Sequence, residues 1–325
     1  MLLRLATFNL ESLDWSRDQE AWFQTRANTL RPILAALQAD ILCLQEVNAQ
    51  HLSAEDARSF VALTKLIEGT DCADFHLAHS RRPGGDDPAD RHNLAILSRW
   101  PIVAQRQFHH DLVQPLVWKS PEGEEITISF DRPALYAKIT PPDESPLHIF
   151  NLHLRAPRAA PMPDGRQEGQ WTSTRRWAEG YFVASLKRQA QALEIRLAVE
   201  DLLDQDPGAR IALCGDFNAE AFEAPTRLLQ ALPDDVETDH FAQRALVPLE
   251  AGLPAERRFS VVHDERPVLL DHILASSSLA QDLTGIEAFN EDLQDEAHVE
   301  GPIAGSLHAP LLAVFGDSAP SAKPD

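Results

Sequence analysis

A short segment in the second half of the chain carries two polar side chains that could do chemistry together. Residues 211–214 are apolar, and Gly215-Asp216-Phe217-Asn218 follows them directly. Residues two apart in a strand point to the same side, so Asp216 and Asn218 would face one site. The carboxylate could hold a metal ion or orient water, and the amide could donate to a phosphoryl oxygen. The same tetrad also forms ordinary Asx turns, so it needs support from other residues.

Polar residues end or interrupt several other apolar segments in the same way. They are Asn9, Glu46, His153, Asp271 with His272, and His308. Functional groups of α/β proteins gather where strands end. Each residue alone has a structural explanation, such as a bulge at Asn9, a helix N-cap beside Glu46, or a core position for His153. The complete set in this order is hard to explain as independent accidents, and it indicates a catalytic site.

The pattern of apolar residues predicts the elements that must position these groups. Strands are expected at 2–10, 40–47, 93–98, 126–130, 134–140, 146–154, 210–217, 269–275 and 309–315, and helices at 20–38, 56–68, 174–204 and 223–231. Helices mixed with strands and no linker between them favour one α/β domain with two sheets covered by helices. Residues 81–91 and 155–173 are predicted loops. The small, polar, Pro-rich segment 316–325 is predicted to be a disordered tail.

The composition limits the partners and the location. The chain has 29 Lys and Arg against 50 Asp and Glu, a net charge of −21, which opposes a tight, non-specific grip on duplex DNA. No segment approaches the ~18 apolar residues of a membrane span, and the N-terminus has no secretion-signal pattern. Cys43, Cys72 and Cys214 cannot all pair, which favours buried thiols in a reducing compartment. We therefore expect a cytoplasmic protein without a membrane partner.

The motifs around these residues resemble the endonuclease/exonuclease/phosphatase superfamily, to which deoxyribonuclease I and the apurinic/apyrimidinic endonucleases belong. They are Thr7-Phe8-Asn9, Leu44-Gln45-Glu46, the segment Asn93 to Pro101, Asn151-Leu152-His153, Gly215 to Asn218, Leu270-Asp271-His272, and Ser306-Leu307-His308-Ala309-Pro310. The resemblance runs in order from residue 2 to residue 315, so a single domain over 1–315 is expected. It implies a four-layer α/β sandwich, in which two mixed β-sheets pack face to face with helices on both outer faces.

The resemblance also implies a metal site. Glu46 would be the principal ligand of a Mg²⁺ or Mn²⁺ ion, with Asn9 beside it. Hard oxygen ligands and retained waters suit Mg²⁺.

Five further residues receive catalytic roles from the resemblance. Asp216 would orient or deprotonate the attacking water, and Asn218 would steady a phosphoryl oxygen. His308, held by Asp271, would contact the phosphate, and His153 would lie near the leaving group. Phosphodiester hydrolysis gathers negative charge on oxygen, which a metal, an imidazolium and an amide donor stabilise.

One motif departs from the family pattern, which usually reads Ser-Asp-His, with the aspartate helping to hold the metal. Here Leu307 stands in that place, and leucine cannot bind Mg²⁺. The metal could rest on Glu46, Asn9 and water, or a carboxylate from elsewhere, such as Asp295, Glu296 or Glu300, could replace the missing one. The chain could also be a weakened enzyme or a binding protein. Because the other positions are all present, decay is the least favoured of these alternatives, and weaker metal binding is expected.

Substrate recognition is predicted from two residues near the expected cleft. Arg155 follows His153 by two residues, on a loop with a local excess of arginine, and Asn93 opens one of the family motifs. Arg175 and Arg176, at a helix start, are expected to face solvent. Weaker candidates are Arg257, Arg258, His263 and Arg266 on an opposite wall, Trp171 and Trp177 as stacking surfaces, and His109-His110-Asp111 as a metal pair.

Together these observations predict a monomeric, cytoplasmic, Mg²⁺- or Mn²⁺-dependent phosphoesterase that cleaves a P–O bond by direct attack of water. Nucleic acid is the first expected substrate, and the acidic charge favours single-stranded, short or nicked forms over long duplexes. One alternative is a phosphatase or phosphodiesterase acting on a small molecule. The other is a catalytically silent binding protein on the same fold, motivated by Leu307.

Overall fold

Two six-stranded sheets lie at the centre of the computed structural model, which describes residues 2–53, 56–120 and 123–316. The strands are β1 (Leu3–Leu13), β2 (Ile41–Val47), β3 (His76–His79), β4 (Asn93–Ser98), β5 (Ile102–Phe108), β6 (Leu116–Lys119), β7 (Glu125–Ile128), β8 (Ala134–Ile139), β9 (Leu147–His153), β10 (Arg166–Gln167), β11 (Gln170–Trp171), β12 (Arg210–Asp216), β13 (Leu246–Pro248), β14 (Val261–His263), β15 (Arg266–Val268), β16 (Asp271–Ser276), β17 (Leu283–Ala288) and β18 (Leu311–Phe315). The helices are α1 (Glu20–Leu37), α2 (Val61–Ile67), α3 (Thr174–Gln205), α4 (Ala224–Gln230), α5 (Pro233–Val236) and α6 (Ser277–Ala280).

Both large sheets are mixed. The first has the order β17-β18-β1-β2-β4-β3, and the second has the order β13-β16-β12-β9-β8-β5. In the first sheet β1 runs parallel to β2 and antiparallel to β18. In the second, β12 runs parallel to β9 and antiparallel to β16. The predicted α/β architecture of two mixed sheets is confirmed.

Among the described residues, the three largest apolar clusters hold the layers together. One lies between the sheets and includes Leu5, Ile149 and Ile273. A second lies under α1 and α2, and a third under α3 and α4, so helices cover the outer face of each sheet. In α1 the buried residues Phe23, Ala27, Leu30, Leu34 and Leu37 recur every three or four positions, which places them on one helix face.

A buried hydrogen-bond network joins the two sheets directly beside the predicted site. The Gln45 side-chain amide donates to Asn151 Oδ1 at 2.7 Å and to Thr7 Oγ1 at 3.0 Å. The Asn151 amide donates in turn to the main-chain carbonyls of Leu44 and Ala95, both at 2.9 Å. Since Glu46 follows Gln45 and His153 lies two residues beyond Asn151, this network fixes the two sheets relative to each other where the site begins.

Several elements differ from the sequence prediction. In the two large sheets the strands β3, β5, β13 and β17 were not expected, and each is an edge strand. The helix expected at 56–68 begins only at Val61, and the loop 155–173 contains the short hairpin β10–β11. Of the predicted tail, only Gly316 belongs to the described residues, and 317–325 lie outside them. Among the described helices, none combines the length and the apolar character needed to cross a membrane.

Candidate active site

The ends of strands from both sheets bring the predicted residues together. In the first sheet, Asn9 lies in β1 just before its register shift, and Glu46 lies near the end of β2. In the second sheet, Asp216 at the end of β12 pairs in register with His153 on one side and Asp271 on the other. The side chains approach each other across the sheets, with Asn9 Nδ2 3.2 Å from Asp216 Oδ2. The site is therefore shared by the two sheets.

Glu46 is held as an anion by its neighbours. Its Oε2 accepts hydrogen bonds from the Ser12 amide at 2.9 Å and the Ser12 hydroxyl at 3.0 Å, and lies 3.3 Å from His92 Nδ1. Burial opposes ionisation, but the contact with His92 and the charge of His153 hold the pKa of Glu46 well below its usual range. The backbone at Glu46 is left-handed, with φ of 60°, a conformation that non-glycine residues adopt mainly where the surroundings enforce it.

Asp216 is a buried carboxylate with a raised pKa. Its Oδ1 accepts a hydrogen bond from the Asn218 amide N–H at 2.8 Å, and its Oδ2 accepts from the side chains of Asn9 at 3.2 Å and Asn218 at 3.1 Å. Burial raises the pKa of Asp216 to about 7, against the lowering effect of His308. A carboxylate with this pKa is suited to take a proton near neutral pH.

His308 and Asp271 form a tight pair opposite Asp216. His308 Nδ1 donates to Asp271 Oδ2 at 2.7 Å, while Nε2 lies 3.9 Å from Asp216 Oδ2 and 4.0 Å from Glu11 Oε1. Burial alone would lower the pKa of His308, but the carboxylates of Asp271, Asp216 and Glu11 raise it to about 10. The imidazole is therefore doubly protonated at neutral pH, and Nε2–H is a charged donor that faces the site.

His153 has the opposite protonation state. Its Nε2 lies 3.5 Å from Asp216 Oδ2 and 3.8 Å from Glu46 Oε1, and the Arg132 guanidinium contacts the ring, with Nη1 3.1 Å from Nε2. Burial and the positive charge of Arg132 hold the pKa of His153 well below its usual range. Within the described part of the chain, Arg132 has no carboxylate within 4 Å, so its charge is available to an anionic group.

The donor set fits a hard divalent cation. Glu46 and Glu11 offer carboxylate oxygens. Asn9 directs its Nδ2 toward Glu46 and Asp216, while its Oδ1 accepts a hydrogen bond from the Glu11 amide at 3.0 Å, so its predicted place as a ligand stays a prediction. Atoms of Asp216, Asp271 and His308 also lie within 4.8 Å of one another, a spacing that could hold a metal ion. His308 Nδ1 is already engaged by Asp271. Leu307 is half-buried and contributes no ligand.

Two of the predicted recognition residues have their polar groups engaged by the protein. The Asn93 side chain donates to the Val47 and Ala89 carbonyls and accepts from the Ala89 amide, all within 2.9 Å. Arg155 forms an ion pair with Asp131, which Lys187 also contacts. The Asn218 amide, expected on a phosphoryl oxygen, donates to Asp216 and to the Leu154 carbonyl. Their predicted contacts with substrate stay predictions.

The weaker candidates serve local structure. Asp295, a candidate substitute for the missing aspartate, accepts the amides of Asp264, Glu265 and Ala297 and so ties down the turn between β14 and β15. Glu296 pairs with His263. Arg257 and Arg258 donate to main-chain carbonyls, and His109 and His110 contact the carbonyls of Phe130 and Val113. Trp171 packs against Arg166, while Trp177 is 46% exposed.

The sequence reasoning missed four residues of this site, namely Glu11, Ser12, His92 and Arg132. The signal for Glu11 was partly available, because it lies two positions after Asn9 and directly follows the strand predicted at 2–10, which in the structure extends to Leu13. His92 precedes a motif that was recognised, and Arg132 lies just before the predicted strand at 134. No local pattern distinguishes those two from ordinary loop residues.

Comparison with known proteins identifies the fold. The family model of the Endonuclease/Exonuclease/phosphatase family matches residues 6–291. No curated protein matches the sequence.

Similar solved structures cover nearly the whole chain at low identity. D. rerio TDP2 complexed with single-strand DNA product has 14% identity and a TM-score of 0.55, covering 97% of this chain and 99% of that one. An AP endonuclease from Archaeoglobus fulgidus has 18% identity, a TM-score of 0.52, and coverage of 96% and 99%. A 3'-5' exonuclease from Neisseria meningitidis has 18% identity, a TM-score of 0.55, and the same coverage. At these identities the similarity shows the fold alone.

Proposed function

The chain belongs to the Endonuclease/Exonuclease/phosphatase family, and from this premise we propose that it hydrolyses phosphoesters by direct attack of water, with Mg²⁺ or Mn²⁺. One observation carries the proposal. A carboxylate with a pKa of about 7 and an imidazolium with a pKa of about 10 face each other across 3.9 Å, between Asp216 Oδ2 and His308 Nε2. A base and a charged donor with these pKa values are both in the working form near neutral pH.

The cation would be held by Glu46, with Asn9 beside it. Glu11 would supply the carboxylate that an aspartate at position 307 usually provides in the family. Glu11 lies close enough to Glu46 for the two charges to interact, and its Oε1 is 4.0 Å from His308 Nε2. When bound, the cation supplies positive charge to a phosphoryl oxygen. The presence of Glu11 argues against the silent binding protein, whose motivation was the missing ligand.

The chain's own residues account for the remaining steps. Asp216 takes a proton from the attacking water. The side-chain amides of Asn9 and Asn218 donate to the Asp216 carboxylate and hold it in place. His308 donates Nε2–H to a phosphoryl oxygen as negative charge develops there, while Asp271 holds the ring by Nδ1. The P–O bond to the leaving group breaks as the bond to water forms. The leaving oxygen takes a proton from solvent water, and the proton on Asp216 returns to solvent. His153 and Arg132 lie on the opposite side, where Arg132 attracts the phosphate.

Nucleic acid is the proposed substrate, in single-stranded or short form. The TDP2 neighbour was solved with single-strand DNA, and a chain of net charge −21 repels a long duplex. A small phosphorylated molecule is the second candidate, because it carries far fewer negative charges than a long duplex and is repelled less. All three cysteines are free thiols, and on that basis we propose that the enzyme works in the cytoplasm. The proposed oligomeric state is a monomer.

The test is hydrolysis by the purified protein in Mg²⁺, in Mn²⁺ and in chelator. The substrates are plasmid DNA, single-stranded oligonucleotide, abasic-site duplex, RNA and a chromogenic phosphodiester. Asp216→Asn is the site variant, and Asp204→Asn is the matched control, because Asp204 is an exposed carboxylate paired with Arg244 away from the site. Metal-dependent cleavage that is lost only in Asp216→Asn supports the proposal. Metal-independent cleavage, or equal rates in all three proteins, contradicts it.

A further inference from the structure

Arg26 is a buried arginine of α1 whose partners are main-chain carbonyls on one side of the candidate site. It is 5% exposed, and within the described residues it has no carboxylate within 4 Å. Nη2 donates to the Leu10 carbonyl at 2.6 Å, and Nη1 donates to the carbonyls of Glu11 at 3.1 Å and Ser12 at 3.2 Å. The guanidinium thus binds three consecutive residues of β1, the strand that also carries Asn9.

These three residues lie where β1 departs from regular strand geometry. The pairing of β1 with β2 shifts register between Asn9 and Leu13, and both Glu11 and Ser12 have left-handed backbone, with φ of 50° and 53°. Carbonyls that turn out of a sheet ladder need other partners when they are buried. Arg26 supplies those partners, so the irregular shape that places Glu11 and Ser12 in the site depends on it.

The same guanidinium also binds the segment that leads to His308. Nη2 donates to the Gly305 carbonyl at 3.1 Å, and Nε lies 3.5 Å from the Ala304 carbonyl. The next residue, Ser306, donates its hydroxyl to the Asn9 carbonyl at 2.7 Å and accepts the His308 amide at 3.0 Å. One side chain therefore joins two segments that are almost 300 residues apart in the sequence.

We propose that Arg26 is a positioning residue, which sets the distance between the wall formed by Glu11, Ser12 and Glu46 and the wall formed by His308. The guanidinium suits this role because its N–H donors are fixed in one plane and point in several directions. A lysine carries its three donors on a single atom and cannot reach both segments in this way. The functional part of the inference rests on the proposed phosphoesterase activity.

The chain offers a matched control in Arg196 of α3. Arg196 is 7% exposed and donates to the main-chain carbonyls of Leu229 at 3.2 Å and Arg244 at 2.9 Å. It is also a buried helix arginine that binds carbonyls, and in addition it pairs with Glu200 of the same helix. Its contacts lie under α4, away from the site. If Arg26 had a purely structural role, its replacement, like that of Arg196, would lower stability without affecting the site.

The experiment compares the full-length wild type with Arg26→Ala, Arg26→Lys and Arg196→Ala. Hydrogen exchange by mass spectrometry follows the peptides that contain 9–13 and 303–309. Mn²⁺ affinity is measured from the free-ion signal in electron paramagnetic resonance. Steady-state kinetics use the chromogenic phosphodiester, with and without added methylguanidinium. Urea unfolding gives the free energy of unfolding for each protein.

We expect both Arg26 variants to exchange faster in the two peptides together and to bind Mn²⁺ about tenfold more weakly. Their kcat should fall by about 10²-fold with little change in KM, because misplacement of about 1 Å affects the transition state more than substrate binding. Methylguanidinium should restore part of the kcat of Arg26→Ala. Arg196→Ala should lose stability without any of these changes.

The inference would be overturned if Arg26→Lys showed wild-type hydrogen exchange in both peptides and wild-type Mn²⁺ affinity. It would also be overturned if Arg26→Ala and Arg196→Ala changed exchange, Mn²⁺ affinity and kcat to the same extent. If Arg26→Ala does not fold, Arg26→Lys carries the test. A wild type that hydrolyses no substrate overturns the proposed function alone, since exchange and Mn²⁺ affinity still decide the role of Arg26.

Discussion

Replacing Asp271 by asparagine should make activity depend on pH in a way that the wild type does not show. Asparagine keeps an oxygen that can accept the hydrogen bond from His308 Nδ1, so the ring stays in place. The change removes the carboxylate that contributes most to the raised pKa of His308. Asp216 and Glu11 still raise that pKa and burial lowers it, so we expect His308 to return close to its ordinary value of 6.5.

The size of the effect follows from the two pKa values. With a pKa of about 10, His308 is almost fully protonated at pH 8. With a pKa near 6.5, roughly 3% of it would be protonated there, against roughly three quarters at pH 6. If the imidazolium is the working form, Asp271→Asn should lose about 30-fold in kcat at pH 8 but less than about twofold at pH 6.

Stability should change in the same direction. A histidine whose pKa is raised in the folded protein contributes stability that is fully present below pH 6.5 and is lost as the pH rises through about 10. A rise from 6.5 to about 10 corresponds to on the order of 5 kcal/mol. Asp271→Asn should therefore lower the free energy of unfolding most at neutral and acidic pH.

The assay is kcat against pH from 5.5 to 9 for the wild type, Asp271→Asn and the control Asp204→Asn. A pH titration of the His308 ring proton by NMR, in chelator, measures the pKa directly. A constant loss at every pH would show that Asp271 acts on geometry alone. A rate in Asp271→Asn that equals or exceeds the wild type at pH 8 would refute the imidazolium role, because neutral His308 would then be the working form.

Three further changes test other parts of the site. Asp216→Asn should abolish hydrolysis. In the wild type, ionising the buried Asp216, whose pKa is about 7, costs about 4 kcal/mol of stability as the pH rises from 4 to 7. In urea unfolding with chelator, the stability of Asp216→Asn should therefore fall less over this pH range than that of the wild type. Leu307→Asp should tighten Mn²⁺ binding, whereas an unchanged titration would contradict its place beside the metal. Gly215→Ala should destabilise the fold by about 3 kcal/mol or more, because a Cβ there would lie 2.0 Å from the Leu152 carbonyl oxygen at a φ of +139°. Gly285→Ala, with nothing within 4 Å, is its control and should be neutral in circular-dichroism melts.

The interior of the fold was predictable because its strands are continuously apolar. Residues 41–44 and 211–214 are buried on both faces, and such runs are easy to recognise in a sequence. The missed strand β5 reads Ile-Val-Ala-Gln-Arg-Gln-Phe and is mostly exposed at the edge of the second sheet. It pairs through backbone atoms with β8, which no side-chain pattern records.

The candidate site was predictable as far as its residues lie at the first or last position of regular strands. His153, Asp216 and Asp271 are neighbours because β9, β12 and β16 are paired in register. The excess of arginine on the loop after His153 was less informative as a sign of substrate binding. It could not show that Arg155 pairs with Asp131, which lies 24 residues earlier in the chain. The neighbouring Arg132, which has no such partner in the described part of the chain, contacts His153 instead.

The position of β18 has a consequence for how the protein is made. This strand is the last of the described elements along the chain, yet it lies inside the first sheet, between β17 and β1. During synthesis, one edge of β1 therefore stays unpaired until β18, about 300 residues later in the chain, has been made. Pairings that distant form slowly and leave an unpaired strand edge exposed meanwhile. A chain interrupted before Leu311 would lack both the partner of β1 and the anchor of His308, and should aggregate rather than form a partly active enzyme.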